Sequence, residues 1–416
     1  MGANPSDTGA TNAVGDALTA VLPQDGKPWY KRGHLIALNF AIISLVMFSS
    51  ANGFDGSLMN GLQALDQWQA FMDSPTGSWL GLINAVYWLG AGITYPAAAW
   101  ISNTYGRKPG IYLGYVFLIL GSVLQTAAQN DVQFILARMF VGIASALLGS
   151  GAPLLINEIA YPTQRGVTSA LFMCGWYVGG TIAAFATFAT RNYTSSWAWR
   201  VPSILQLLLP LVALPGLIMA PESPRWLISV DRPEEAREIL VKYHAGGDPD
   251  SALVNYEIIE IGATLRAEKE AHNSASYKDM IKTPGNRHRL FISVTLGVFS
   301  QWSGNGHVTY YLSLVLDTVG VTSVTDQTLI SGFLQVWNLI LSVAAAFSVD
   351  KFGRRPLFLA SAAIMLVSYI LMAVIFDRDS SKVPNAEETV YRSLSAGGAQ
   401  EAAEKEGSLY KHTEKV

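Results

Sequence analysis

Residues 34–63 read HLIALNFAIISLVMFSSANGFDGSLMNGLQ. The stretch opens as an apolar run: between His34 and Phe54 there is no Asp, Glu, Lys or Arg. A bilayer crossing needs about 20 mostly apolar residues at ~1.5 Å rise each, so the run over 34–54 predicts a membrane-spanning helix. Asp55 follows at once, among Gly53, Gly56 and Gly61 and beside the polar Asn52, Ser57 and Asn60. An ionisable side chain at that depth is costly and faces a protein interior or an aqueous path. The alternative is a residue that merely marks the helix end at the interface.

The totals agree with a membrane protein. Half of the 416 residues are hydrophobic and 14% are charged, which is too apolar for an average soluble domain. A net charge of −3 gives no reason to expect a nucleic-acid partner. Cys174 is the single cysteine, so no intrachain disulfide framework exists. Residues 1–33 lack the pattern of a cleaved signal peptide and read as a disordered cytoplasmic tail.

Apolar runs predict nine spans, near 34–54, 79–101, 110–128, 134–156, 168–190, 201–220, 290–316, 327–349 and 356–376. The domains follow: a six-helix bundle over 34–220, a polar insert over 221–289, a three-helix partial bundle over 290–376 and a polar tail over 377–416. Within the insert, the charged stretches 232–244 and 257–272 read as short amphipathic surface helices presenting a solvated face. Lys31, Arg32, Arg107, Lys108, Arg165, Lys351, Arg354 and Arg355 fall on one side, whereas 55–78 and 317–326 hold Asp but no Lys or Arg. The positive-inside rule therefore puts the amino terminus and the insert in the cytoplasm.

Orientation sets depth. Asp55 lies about 30 Å along the first span, and Arg138 falls about two turns into the fourth from the opposite side. Both charges then sit toward the outer half, where a pair lowers the cost of burying either alone. Protonating Asp55 would break such a pair, giving a proton-driven switch; a static salt bridge is the other reading. A repeat is also visible. Asn103-Thr-Tyr-Gly-Arg-Lys108 follows span two and Asp350-Lys-Phe-Gly-Arg-Arg355 follows span eight. Each is a tight turn around a glycine (Gly106, Gly353) with two cations, six spans apart, as parallel duplication of a six-helix half would give. The cations can pair with Glu158 or Glu222 and latch the cytoplasmic side. Span seven is unusually polar: Gln301, Trp302, Ser303, Asn305, His307, Tyr310 and Tyr311. Amides both donate and accept, and aromatic faces can cover apolar C–H surface.

With these motifs placed, the chain resembles sugar porters of the major facilitator superfamily, most of all the fungal lactose-permease and hexose-transporter branch. The carriers of the likeness are 53–63, Tyr105-Gly-Arg-Lys108, Arg138 with Gly142, 158–166, Trp199-Arg200, Pro221-Glu-Ser-Pro-Arg-Trp226, 300–312 and 350–355. The resemblance implies an all-α polytopic membrane protein that moves sugar by alternating access, with no enzymatic site and no cofactor beyond a coupling proton. Its partners would be a small sugar and the lipid bilayer, and its location the plasma membrane. It assigns proton coupling to Asp55 and Arg138 and sugar binding to Gln301 and Asn338, beside which Trp302 and Asn305 stand. Gating falls to Tyr310 and Tyr311. The cytoplasmic latch comprises Gly106, Arg107, Glu158, Arg165, Glu222, Arg225, Asp350 and Arg354.

Met173 stands where the family commonly has an amide, and Asn103 where it has an acid. The resemblance also implies three further spans, yet no apolar run follows Asp377. The competing expectations are a non-transporting sensor on the same scaffold and an inactive truncated carrier. No metal-ligand cluster or nucleophile–base motif lies at a membrane face, which sets a membrane enzyme aside.

Overall fold

The computed structural model describes residues 18–23, 28–274, 279–302, 305–318 and 320–382. Among these every regular element is a helix. The tails expected over 1–33 and 377–416 lie largely outside the described residues, although Trp29–Lys31 forms one 3-10 turn.

Helix α1 covers Gly33–Gln63. It does not stop near Phe54 as its sequence suggested. The glycines and polar residues after Asp55 continue the helix because they serve packing rather than a loop. A short α2 (Asp66–Phe71) leads into α3 (Gly77–Tyr105), α4 (Arg107–Thr126), α5 (Asp131–Ile159) and α6 (Arg165–Thr190). Asn130 starts α5 cleanly, its side chain accepting from the Gln133 N–H at 2.8 Å. Helix α1 lies along α6 at a close approach that only glycine permits. A Cβ on Gly53 would stand 1.9 Å from the Trp176 carbonyl oxygen, and one on Gly179 would stand 1.8 Å from that of Ser50. Without strong hydrophobic driving force in lipid, such small-residue contacts are how helices gain packing energy.

The sixth expected span is two helices, α7 (Trp197–Leu205) and α8 (Leu208–Met219), parted at Gln206 and Leu207. Helix α7 packs on α4 and α6, and α8 on α1. Two buried clusters fill the interior. One joins Leu38, Leu45, Phe48, Tyr115 and Ile156; the other joins Phe54, Leu58, Trp68, Phe134 and Trp199. In the second, Phe71 stacks on Trp199 at 4.6 Å between centroids, and Phe134 meets Trp199 edge-on at 6.0 Å.

The polar insert folds as α9 (Pro224–Ser229), α10 (Pro233–Tyr243), α11 (Ala252–Ser274) and α12 (Asp279–Lys282). It is not only a solvated face: Leu240, His244, Leu253, Val254 and Glu257 are all buried. Next come α13 (Pro284–Trp302), α14 (Asn305–Thr318) and α15 (Val324–Phe352), with Tyr311 at φ −131°, ψ 27° interrupting helical geometry. Helix α14 packs on α1, whereas α13 has no buried residue. The chain divides into two compact units, 1–347 and 348–416, and the second holds α16 (Arg354–Lys382), which runs past the boundary expected at 376.

Among the described residues six helical segments, α7 and α8 taken together as one, are long and apolar enough to cross a membrane: Gly33–Gln63, Arg107–Thr126, Asp131–Ile159, Arg165–Thr190, Trp197–Met219 and Val324–Ser348. Three of the nine expected spans fall outside that set, each for its own reason. Helix α3 is long but diluted by Asn84, Tyr87, Trp88 and Tyr95. The span at 290–316 is divided between α13 and α14, and that at 356–376 retains a shorter apolar helix, Arg355–Leu371.

Candidate functional site

Asp55 on α1 and Arg138 on α5 meet inside the helix bundle, each 1% exposed. Arg138 Nη1 donates to Asp55 Oδ1 at 3.2 Å and Nη2 to Oδ2 at 3.5 Å. The remaining face of the guanidinium is also used: Nε donates to the Ile83 carbonyl of α3 at 3.1 Å, and the cation lies 5.6 Å from the Tyr87 ring centroid. Tyr87 in turn hydrogen-bonds Ser145 at 2.7 Å. Gly142 makes this junction possible, since a Cβ there would stand 2.0 Å from the Tyr87 carbonyl oxygen. A buried ion pair survives when its remaining donors are satisfied, and three helices supply that satisfaction here.

At the end of the bundle that carries most of the charge, Arg107 forms a two-pronged bond to Glu158, Nε to Oε2 at 2.7 Å and Nη2 to Oε1 at 2.8 Å. Glu222 caps α4 by accepting the backbone N–H groups of Arg107 and Lys108, each at 3.1 Å. A carboxylate there satisfies orphan donors and complements the helix dipole. Gly106 has φ +104°, and a Cβ on it would stand 2.8 Å from Glu222 Oε2. Gly353, at φ +77°, shares positive φ with its counterpart in the repeat. Trp226 Nε1 donates to the Asn103 carbonyl at 3.0 Å, docking α9 of the insert on the same turn.

Arg165 and Arg225 do not join that cluster. Arg165 reaches Glu257 at 3.1 Å and Arg225 reaches Glu268 at 2.5 Å, both on α11. His244 lies between two acceptors, Glu257 Oε2 at 2.7 Å and the Ile159 carbonyl at 3.1 Å. These acids were missed because α11 was read as a solvated face. Their signal was spacing, since positions 257 and 268 are three helical turns apart and share a side of α11. A cleft of about 590 Å³ opens nearby, lined by residues including Arg107, Glu158, Arg225 and Glu268. The side chains of Asp350 and Arg354 lie outside the described residues.

A polar seam ties α1 to α14 and α15. Gln63 Nε2 donates to the Tyr310 carbonyl at 3.0 Å, the Leu312 N–H to Asn60 Oδ1 at 3.3 Å, and Gln335 Nε2 to Ser57 Oγ at 2.7 Å. Ser57, Asn60 and Gln63 recur every third residue on one face of α1. The Tyr310 ring meets Trp88 edge-on at 6.4 Å, while Tyr311 packs against the Phe54–Trp199 cluster. Asn338 is half-buried, one turn beyond Gln335. Gln301 and Trp302 stand exposed at the end of α13, Trp302 at 81%. They are not enclosed in a pocket with Asn338, because nothing on α13 is buried. The side chains of Asn305 and His307 lie outside the described residues, as does Ser303. Sequence reading named Ser57 only as a polar neighbour of Asp55 and did not single out Gln335.

A family profile described as sugar (and other) transporter matches residues 41–390. The chain belongs to that family. It is therefore a multi-pass membrane protein of a transporter family rather than of an enzyme family. Its similar relatives include a high-affinity glucose transporter of Kluyveromyces lactis, 28% identical over 354 residues, covering 84% of this chain and 63% of that protein. Another is the low-affinity glucose transporter HXT1 of Saccharomyces cerevisiae, 28% identical over 297 residues, covering 71% of this chain and 51% of the relative. The chain thus spans less than two thirds of either relative's length. Among solved structures, the proton:xylose symporter XylE bound to 6-bromo-6-deoxy-D-glucose aligns with TM-score 0.66 at 23% identity, over 77% of this chain and 70% of the other. The fold is the all-helical major facilitator fold.

Proposed function

We propose that the chain carries a sugar of the hexose or lactose class across the plasma membrane by alternating access, in symport with a proton. The observation that carries this reading is the buried Asp55–Arg138 pair, whose Asp55 sits on the same helix as the seam to α14 and α15. Protonation of Asp55 cancels its charge and weakens its hold on Arg138, which keeps the Ile83 carbonyl and the Tyr87 ring as partners. Helix α1 is then less bound to α5. Because α1 also holds Tyr310, Leu312 and Gln335, a proton on one face of it bears on the gate at the other. That is differential stabilisation of two states by one ligand, which coupling requires.

In this reading Gln301, Trp302, Asn305 and Asn338 contact sugar, and Tyr310 and Tyr311 close over it. Gly106, Arg107, Glu158 and Glu222 hold the cytoplasmic face shut, with Asp350 and Arg354 as their repeat counterparts, Arg165 tying the cytoplasmic insert to the bundle and Arg225 bracing the insert itself. The amino terminus is cytoplasmic, a six-helix bundle precedes the insert and the helices after it form part of a second bundle. The named substrates of the relatives, glucose among them, support the hexose class. A second reading, a sugar sensor or a chain without flux on this scaffold, draws support from the exposure of Gln301 and Trp302.

The test is uptake of labelled sugars in cells stripped of their own transporters, with surface delivery checked alongside. Saturable uptake that a protonophore abolishes is expected. Asp55→Asn should remove uphill accumulation while sparing exchange, and unchanged accumulation would overturn the coupling role. Sugar binding without flux at full surface delivery would favour the sensor.

A further inference from the structure

Helix α15 carries a polar stripe, Gln327, Ser331, Gln335, Asn338 and Ser342, spaced at four, four, three and four residues, hence on one face. That face looks onto α1, α6 and α14. Gln327 bonds Asp317, Ser331 lines a small crevice with Asn60 and Gly61, and Ser342 donates to Cys174 Sγ at 3.0 Å.

Gln335 differs from the others. Its side chain is buried, 9% exposed, and its Nε2 is engaged by Ser57, yet its Oε1 is an enclosed acceptor with no partner among the described residues. Buried amide oxygens are nearly always paired, and an unpaired one costs free energy that the fold retains only for a reason. The amide group packs over Gly180 of α6, where a Cβ would stand 3.1 Å from Cδ and 3.2 Å from Oε1. The missing side chain on α6 is what accommodates the amide. Asn338 follows one turn later on the same face, so two amides lie about 5–6 Å apart along α15. A neighbouring pair of amides presents donors and acceptors to adjacent hydroxyls, each of which also donates and accepts.

We propose that Gln335 is a specificity-determining sugar residue, parked on Ser57 in this conformation, that exchanges Ser57 for a sugar hydroxyl when the seam opens. The proposal rests on the carrier reading above and deepens it: the substrate must present adjacent hydroxyls along α15, one donating to Oε1 and one accepting from Nε2.

The experiment compares Gln335→Met, which keeps volume but neither hydrogen bond, with Ser57→Ala in the full chain, scoring uptake of glucose and each of its monodeoxy analogues. Gln335→Met should weaken glucose uptake about 10-fold while weakening two of the monodeoxy analogues distinctly less, because each of those has already lost one of the two bonds and a site built to bond a hydroxyl discriminates against its loss. Ser57→Ala removes the parking partner only and should alter every sugar by the same factor. Gln335→Glu, which keeps the acceptor, should retain part of the discrimination. If Gln335→Met and Ser57→Ala both scale all sugars alike, Gln335 is a latch and the proposal is overturned. Sugar-induced quenching of tryptophan fluorescence in the purified chain gives the same comparison for any variant that binds without moving sugar. Failure of the unsubstituted chain to take up or bind any sugar would sink the carrier reading itself, a result distinct from the loss of discrimination.

Discussion

Gly106 and Asp55 show how much single positions decide. At φ +104°, ψ 173° Gly106 occupies backbone space that is essentially glycine-only, and the Glu222 carboxylate fills the space a methyl would need. Gly106→Ala should cost about 1–3 kcal/mol, read as lower thermal stability of the purified chain in detergent. Asp55→Ala should cost more, roughly 3–5 kcal/mol, because it leaves Arg138 buried and uncompensated. The double change Asp55→Asn with Arg138→Gln should recover most of that loss, and additivity of the two single losses would argue against a coupled pair. Both residues were legible in the sequence, since isolated charges in apolar runs announce themselves. Gln335 and Ser57 were not: uncharged polar residues are common enough in membrane helices that neither stands out until a partner is seen.

At the scale of elements, α11 changes the meaning of its own sequence. Its alternation of charge and apolar residues described a surface helix, and most of it is one. Yet Glu257, 1% exposed, holds both His244 and Arg165, whereas Glu268 pairs with Arg225 in the open. Glu257→Ala should cost roughly 1–3 kcal/mol through the buried groups it strands. It should also speed backbone hydrogen exchange over α10 and α11. Glu268→Ala should stay within about 1 kcal/mol, as exposed pairs do. Equal effects from the two would contradict the anchoring role of Glu257. Helix α1 taught a related lesson about boundaries. Glycines near Asp55 resembled a loop because glycine usually ends helices, but here they allow α6 to lie close, a cause that no single helix displays in its sequence.

Across the whole molecule, hydrophobic runs and charge asymmetry were enough for an all-helical membrane architecture with a polar insert. They could not reveal which helices touch. The seam between α1 and the pair α14–α15 joins residues 278 apart in the chain at Ser57 and Gln335, beyond the reach of any local pattern. Exposed Gln301 and Trp302 belong to the same scale: their chemistry was evident, and their enclosure depends on neighbours that α13 lacks here. Crosslinking offers a check on the seam. A Ser57→Cys, Gln335→Cys pair bridged by a short bifunctional thiol reagent should lose flux. Free flux in the crosslinked chain would mean that the seam does not open during transport.

Helix α1, at 31 residues, is about 46 Å long, against a hydrocarbon layer of about 30 Å. A rod that overshoots its slab must lean or protrude, and the surplus depends on the lipid chosen. Asn60 and Gln63 sit at the far tip of that rod, clasping Leu312 and Tyr310. Membrane thickness thus presses on the same lever that the Asp55 proton presses on. Reconstitution in short-chain and long-chain lipids should shift the balance between seam closed and seam open even at constant pH, making the bilayer itself an input to the gate.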